Sequence, residues 1–198
     1  QPGPVLNAAI AAPAAERLVF WNSDAVALHD DVLGQLIDAL DYAEAAFARQ
    51  IPRPEAHGWV RRDYAIAFPA QGDPPPWITL SLVCSAMRRS AWQEHPFYAA
   101  AWASEDSEWG AWARQQGRMV RYLTTALVMH SHNYTLSQLY GRHFVEGEAE
   151  AFISVDRVGW LHASYRWLTE TLRDFGWCLR HGDLLGALAA PLRRAVAQ

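Results

Sequence analysis

Apolar positions come in short blocks along this chain, and each block has a period of its own. Arg17–Trp21, "RLVFW", is a compact apolar run closed by the turn-forming "NSD". It reads as a buried strand. In "DDVLGQLIDALDYAEAAFARQ" Leu33, Leu36, Ile37, Leu40 and Ala43 or Glu44 recur at helical spacing. The pattern predicts a helix over this stretch, with Asp30 or Asp31 as its N-cap. "VLNAAIAA" near the start predicts a short helix from about Val5 to Ala12. Strand, acidic turn and helix in succession belong in an α/β layer.

Between Pro52 and Pro76 the punctuation changes. "PRPEAHGW" and "QGDPPPW" are rich in Pro and Gly, and the region reads as loop. "WITLSLVCSAMRR" is the next strand candidate, and "SAWQEHPF" is a short helix or turn. "EDSEWGAWARQQG" predicts a helix closed by Gly117 as its C′ residue. "RMVRYLTTALVMHSH" alternates and then runs apolar, as one or two strands do, and "TLSQLYGRHFVEGEAEAFI" predicts a helix capped by Thr135. From about Ser154 the character shifts again. Trp160, Leu161, Tyr165, Leu168, Leu172 and Phe175 share a broad helical face, with Arg157, Arg166, Arg173 and Arg180 interleaved. Two amphipathic helices broken near Gly182 are expected there. They would pack on the domain or lie on a membrane surface, where Trp160, Trp167 and Trp177 beside arginines also fit. We therefore divide the chain into a domain over 1–150 and a helical tail over 151–198.

Composition narrows the classes. The chain has 198 residues, 51% of them hydrophobic and 19% charged, which describes a globular protein with a real core. The net charge is -4, so no basic field points to nucleic acid. Arginine supplies every fixed positive charge, since lysine is absent. Cys84 and Cys178 stand far apart without a CxxC motif. Free thiols in a reducing, cytoplasmic compartment are the simplest reading, with a disulfide the alternative. No apolar run is long enough to span a membrane.

Candidate chemistry sits at four places. Asn22 and Asp24 in "FWNSDA" follow a strand, where open α/β sheets bind ligands, and could face a metal or a ribose. An Asx turn capping the next helix uses the same residues. Glu105 and Asp106 open a helix, where its dipole favours carboxylates. A desolvated one among Trp102, Trp109 and Trp112 would serve as a general base. His130 and His132 are two apart after an apolar strand, so an extended chain points both to one side, as two ligands of a metal or as one packed and one exposed histidine. Gln138 and Arg142 share a helix face and could reach a diphosphate or an acceptor hydroxyl, or be a solvated face.

The order of these segments resembles the family 2 glycosyltransferases of the GT-A fold, and within them the rhamnosyltransferase-like members. "LVFWNSDAVALHDDVLGQLIDAL" resembles the family's strand, acidic metal motif and helix. "ARQIPRPEA" resembles its arginine-glutamine-proline loop. "LSLVCSAMRRSAWQEHPF" resembles the acceptor-side strand and its arginine-arginine turn. "SEDSEWGAWARQQGRMVRYLTTALVMHSHNYTLSQLYGRHFVEG" resembles the ED segment and the histidine-rich close. The likeness runs from about Leu18 to Gly147.

The resemblance implies the C-terminal part of a GT-A mixed sheet with flanking helices. It implies that Asp24, with His130 or His132, holds Mg²⁺ or Mn²⁺ on the diphosphate of a nucleotide-sugar donor, with Asn22 beside it. Asp106 would be the base of an inverting transfer and Glu105 its orienting neighbour. Arg88, Gln138 and Arg142 would lie on the acceptor side, facing a glycan or lipid-linked hydroxyl. The work would be done in the cytoplasm, at the inner face of the membrane where the acceptor is lipid-linked. "DAVALHDD" departs from the family by lacking a proline soon after Asp-Ala. The family's nucleotide-binding first half has no counterpart before Leu18, and Gln1 stands where Met would. We expect a fragment with no turnover on its own. A carbohydrate- or partner-binding module and a metal-dependent hydrolase are the competing classes. The hydrolase lacks a recognised spacing such as HExxH.

Overall fold

In a computed structural model, residues 2–12, 14–100, 103–153 and 159–197 are described. Trp102, Ser154 and Arg157, named above, lie outside them. The chain divides into two compact units, residues 1–51 with 65–130, and residues 52–64 with 131–198.

Unit one is a mixed sheet with helices. Its strands are β1 (Arg17–Trp21), β2 (Val26–Ala27), β3 (Ala45–Ile51), β4 (Cys84–Arg88) and β5 (Val120–Met129), in the order β1-β4-β3-β5-β2. β3 and β5 run parallel and the other pairings are antiparallel. The helices are α1 (Pro2–Ala11), α2 (Val32–Ala39), α4 (Arg89–Glu94) and α5 (Glu105–Gln115), with α3 (Gly58–Ala67) shared between the units. Leu36, Leu40, Ala46, Ala86 and Val128 form the core that α2 makes with the sheet.

The middle strand is the largest correction to the sequence reading. The helix stops at Ala39, and Ala45–Ile51 is the central strand β3, buried along nearly its whole length. Alanine is a strong helix former, so this segment reads as a continued helix in isolation. Pairing on both edges overrides that propensity. β1, by contrast, is an edge strand with Val19 and Trp21 exposed, not a buried one.

Unit two is helical. It holds α6 (Leu136–Ile153), α7 (Trp160–Arg180), α8 (Leu184–Val196) and the first part of α3. The stretch read as loop from Pro52 to Pro76 thus contains a helix. Ala56, Trp59, Val60 and Leu139 form the local core, with Tyr64, Tyr134 and Val196 packed on it. A buried ion network crosses beneath α7. The Asp174 carboxylate is 1% exposed and lies 2.6 Å from both Arg62 and Arg194. Arg62 also meets Glu170 at 2.8 Å, and Arg194 meets Asp63 at 2.7 Å. Gly182, at φ 74°, makes the break between α7 and α8. Both cysteines are free and buried.

Candidate metal and base site

The site lies in unit one, around the segment Ser81–Val83 that leads into β4. After β1 the chain turns sharply. The amide of Asn22 donates to the Val83 carbonyl at 2.9 Å, and the amide of Ala25 donates back to Asn22 at 3.0 Å. The turn delivers the chain to β2, which pairs with the end of β5 as Val26↔Met129 and Ala27↔Val128. One step outward along that register sets the turn beside His130. Asp24 Oδ2 accordingly lies 3.6 Å from His130 Nε2. The Asn22 side chain is exposed.

His130 is buried, at 7% exposure, and is held from two directions. Its amide donates to the Ile51 carbonyl at 3.0 Å. Its ring Nδ1 lies 3.1 Å from Gln50 Oε1, and Gln50 Nε2 donates to Ser81 Oγ at 2.9 Å. With the Gln50 amide set this way, Gln50 Oε1 can accept a proton from Nδ1, and Nε2 is the ring nitrogen on the side of Asp24. A carboxylate and an imidazole nitrogen 3.6 Å apart can share a metal ion or, with the ring protonated, form an ion pair. A metal-ligating histidine characteristically donates its other ring N–H to a fixed oxygen, the place that Gln50 Oε1 takes beside His130. One carboxylate oxygen and one imidazole nitrogen suit Mn²⁺ better than Mg²⁺, which prefers oxygen throughout. His132, two residues on, lies in unit two, where its ring stacks on Tyr134 with centroids 5.3 Å apart.

The acidic start of α5 reaches the same segment. Asp106 Oδ2 accepts from the Leu82 amide at 3.2 Å, and Oδ1 accepts from the Ser107 amide at 2.8 Å. The amide of Leu82 thus binds Asp106, and the carbonyl of Val83 binds the turn of Asp24. Gly110 lets α5 approach this closely, because a Cβ there would meet Thr79 Oγ1 at 2.3 Å. The other carboxylates differ. Glu108 pairs with His95 at 2.9 Å, and His95 stacks on Trp112. Glu105 is half-buried, and burial first, then the neighbouring Asp106, pushes its carboxyl above the ordinary range. Trp109 is fully buried. Glu105 lines a cleft of about 880 Å³ together with Trp21, Asn22, Leu82 and the apolar face of α1.

The remaining candidates lie elsewhere or are locally engaged. Arg88 is at the far end of β4 from Val83, about 16 Å of strand away. Its Nε donates to the Leu40 carbonyl at 2.7 Å. In unit two, Gln138 Oε1 accepts from the Thr135 amide at 3.0 Å, while Thr135 Oγ1 accepts from the Gln138 amide at 3.3 Å. This reciprocal pair is a capping box at the start of α6. Arg142 donates to the Tyr134 hydroxyl at 2.9 Å and pairs with Glu146 at 2.7 Å.

A solved mannosyltransferase from Pyrobaculum calidifontis, in complex with GDP-mannose and Mn²⁺, superimposes with a TM-score of 0.58 at 14% identity. The chain has a glycosyltransferase-like fold. The match covers 98% of this chain and 52% of the mannosyltransferase, so the chain spans about half of that protein's length. No protein-family model matches the chain, and no curated protein matches it.

Gln50 and the Ser81–Val83 backbone are the participants that sequence reasoning missed. Gln50 was part of a recognised motif, but its partner His130 is 80 residues away. The arginine-glutamine-proline motif around Gln50 was the available signal.

Proposed function

We propose that this chain carries the metal and base machinery of a glycosyltransferase, moving a sugar from a nucleotide-diphosphate donor to a hydroxyl of a glycan or lipid-linked acceptor. The observation that carries the reading is the Asp24–His130 pair, 3.6 Å apart, with the histidine oriented by Gln50. Asp24 and His130 would hold Mn²⁺, and His132 would join them. An i, i+2 pair lies within about 7 Å along the chain. Bound there, such an ion would help neutralise the donor diphosphate as it leaves. The GDP-mannose and Mn²⁺ of the structural neighbour are in keeping with this.

Asp106 would take the proton of the acceptor hydroxyl. Its oxygens are aligned by the Leu82 and Ser107 amides. An in-line attack by that hydroxyl on the face opposite the diphosphate inverts the sugar. No covalent nucleophile is required. Glu105, with its raised affinity for a proton, would adjust the field at Asp106 and line the acceptor side of the cleft. The order of motifs favours a family 2, rhamnosyl- or hexosyl-transferring enzyme acting at the inner membrane face.

The test is transfer by the full-length gene product, supplied with uridine, guanosine and thymidine diphosphate sugars and Mn²⁺. Asp106→Asn should lower the rate by about 10²-fold or more while Mn²⁺ binding persists. Transfer that survives the substitution would remove Asp106 as the base. Hydrolysis of a phosphate or amide substrate without a sugar donor would place the protein in another class.

A further inference from the structure

Helix α7 has two dissimilar faces. Inward it turns Thr171, Asp174 and Cys178, all buried, and Glu170 is drawn in with them by Arg62. Outward it carries Leu161, Tyr165, Leu168, Leu172, Phe175 and Leu179, at alternating steps of four and three, and each of them is exposed. That spacing is a straight apolar row along a helix. Beside the row, at intervals of seven, stand Arg166, Arg173 and Arg180, all exposed. Helix α8 repeats the division. Gly186, Ala187 and Ala190 are buried, while Leu184, Leu185, Leu188 and Leu192 are exposed.

The charges say what covers such a face. Both carboxylates of α7 are tied to arginines at the inner side, Asp174 to Arg62 and Arg194 and Glu170 to Arg62, and Glu170 also pairs with the exposed Arg173, which leaves Arg166 and Arg180 as the outward arginines that meet no carboxylate of α7. Asp183, which precedes α8, accepts from the amides of Gly58 and Gly186. The outward side therefore pairs apolar rows with arginine and offers no carboxylate. A second copy of this face would set arginine against arginine. An anionic lipid surface complements both features, because leucines sink into the acyl boundary while arginines meet phosphate. No described helix is long and apolar enough to cross a membrane, so these helices would lie in the interface plane.

We propose that α7 and α8 form an interfacial membrane-binding face that selects anionic lipid. The proposal goes beyond the transfer reading and does not depend on it, since its readout needs no catalysis. The 198-residue chain is sedimented with vesicles of phosphatidylcholine alone, or with about a third phosphatidylglycerol added. We expect capture by the anionic vesicles that weakens as salt rises. Leu168→Glu with Leu172→Glu should lower partitioning more than about tenfold, at unchanged helix content because both residues are exposed. Should that pair lose helix, Leu168→Ser with Leu172→Ser takes its place under the same criterion. Arg166→Gln and Arg180→Gln should each lower partitioning to anionic vesicles about fivefold. Wild-type protein left in the supernatant, or a leucine variant that binds like wild type, overturns the proposal. So does a wild-type dimer that the leucine variant makes monomeric while vesicles capture neither, which would assign the face to a second copy.

Discussion

Replacing Asp174 with Asn should cost unit two about 3 kcal/mol. The Asp174 carboxylate accepts from Arg62 Nη1 at 2.6 Å, from Arg194 Nε at 2.6 Å and from Arg194 Nη2 at 3.0 Å. It is almost wholly shielded from water, and the Arg62 and Arg194 side chains are only 8% and 14% exposed. Removing one partner of a buried ion pair typically costs 3–5 kcal/mol, because a desolvated charge is stranded. Here each arginine keeps a second carboxylate, Glu170 or Asp63, which places the loss at about the low end of that range. The amide nitrogen of Asn would also point a donor at a guanidinium. The assay is equilibrium urea unfolding followed by far-UV circular dichroism at neutral pH. A double-mutant cycle with Arg62→Met should show the two changes to be strongly non-additive. A loss under about 1 kcal/mol, or additive effects, would mean that water or neighbouring charges replace the pair. The account of the network would then be wrong.

Three further outcomes follow from unit one. Glu105→Gln should stabilise the fold at neutral pH. Burial raises its carboxyl pKa, so the ionised form is disfavoured in the folded state, and the gain should set in as pH rises past the ordinary glutamate range and fade below it. Melting temperatures across that range check the sign. Gly110→Ala should destabilise by about 1–3 kcal/mol, because the new Cβ would overlap Thr79. It should also loosen the Asp106–Leu82 contact, read as faster exchange of the Leu82 amide. Gln50→Leu should weaken Mn²⁺ binding about 10–100-fold by releasing the His130 ring, with Asp24 untouched. Calorimetric titration measures that change.

Local punctuation was legible in the sequence. Gly117 and Gly182 both adopt positive φ, at 65° and 74°, where helix ends were expected. Thr135 caps α6 as expected, and the T-x-x-Q spacing to Gln138 could have disclosed the capping box. Two elements were hidden by composition. Ala45, Ala46 and Ala48 disguised the central strand as helix, because its strand character comes from pairing on both edges. Pro52, Pro54 and Gly58 made the start of α3 read as loop. The site was partly legible. The i, i+2 histidines and the N-x-D turn stood out by type, but nothing in either segment says that β2 and β5 bring Asp24 to His130. The tie from Asp106 to the Leu82 amide spans only 24 residues, but it was hidden because it runs through backbone rather than a recognisable side chain.

Manganese binding at Asp24 is the most direct test of the whole reading. Calorimetric or paramagnetic titration of the 198-residue chain with Mn²⁺ should show one saturable site. Asp24→Asn and His130→Ala should each remove it, while Arg88→Gln leaves it intact. Equal Mn²⁺ binding by wild type and Asp24→Asn would contradict the account at its centre.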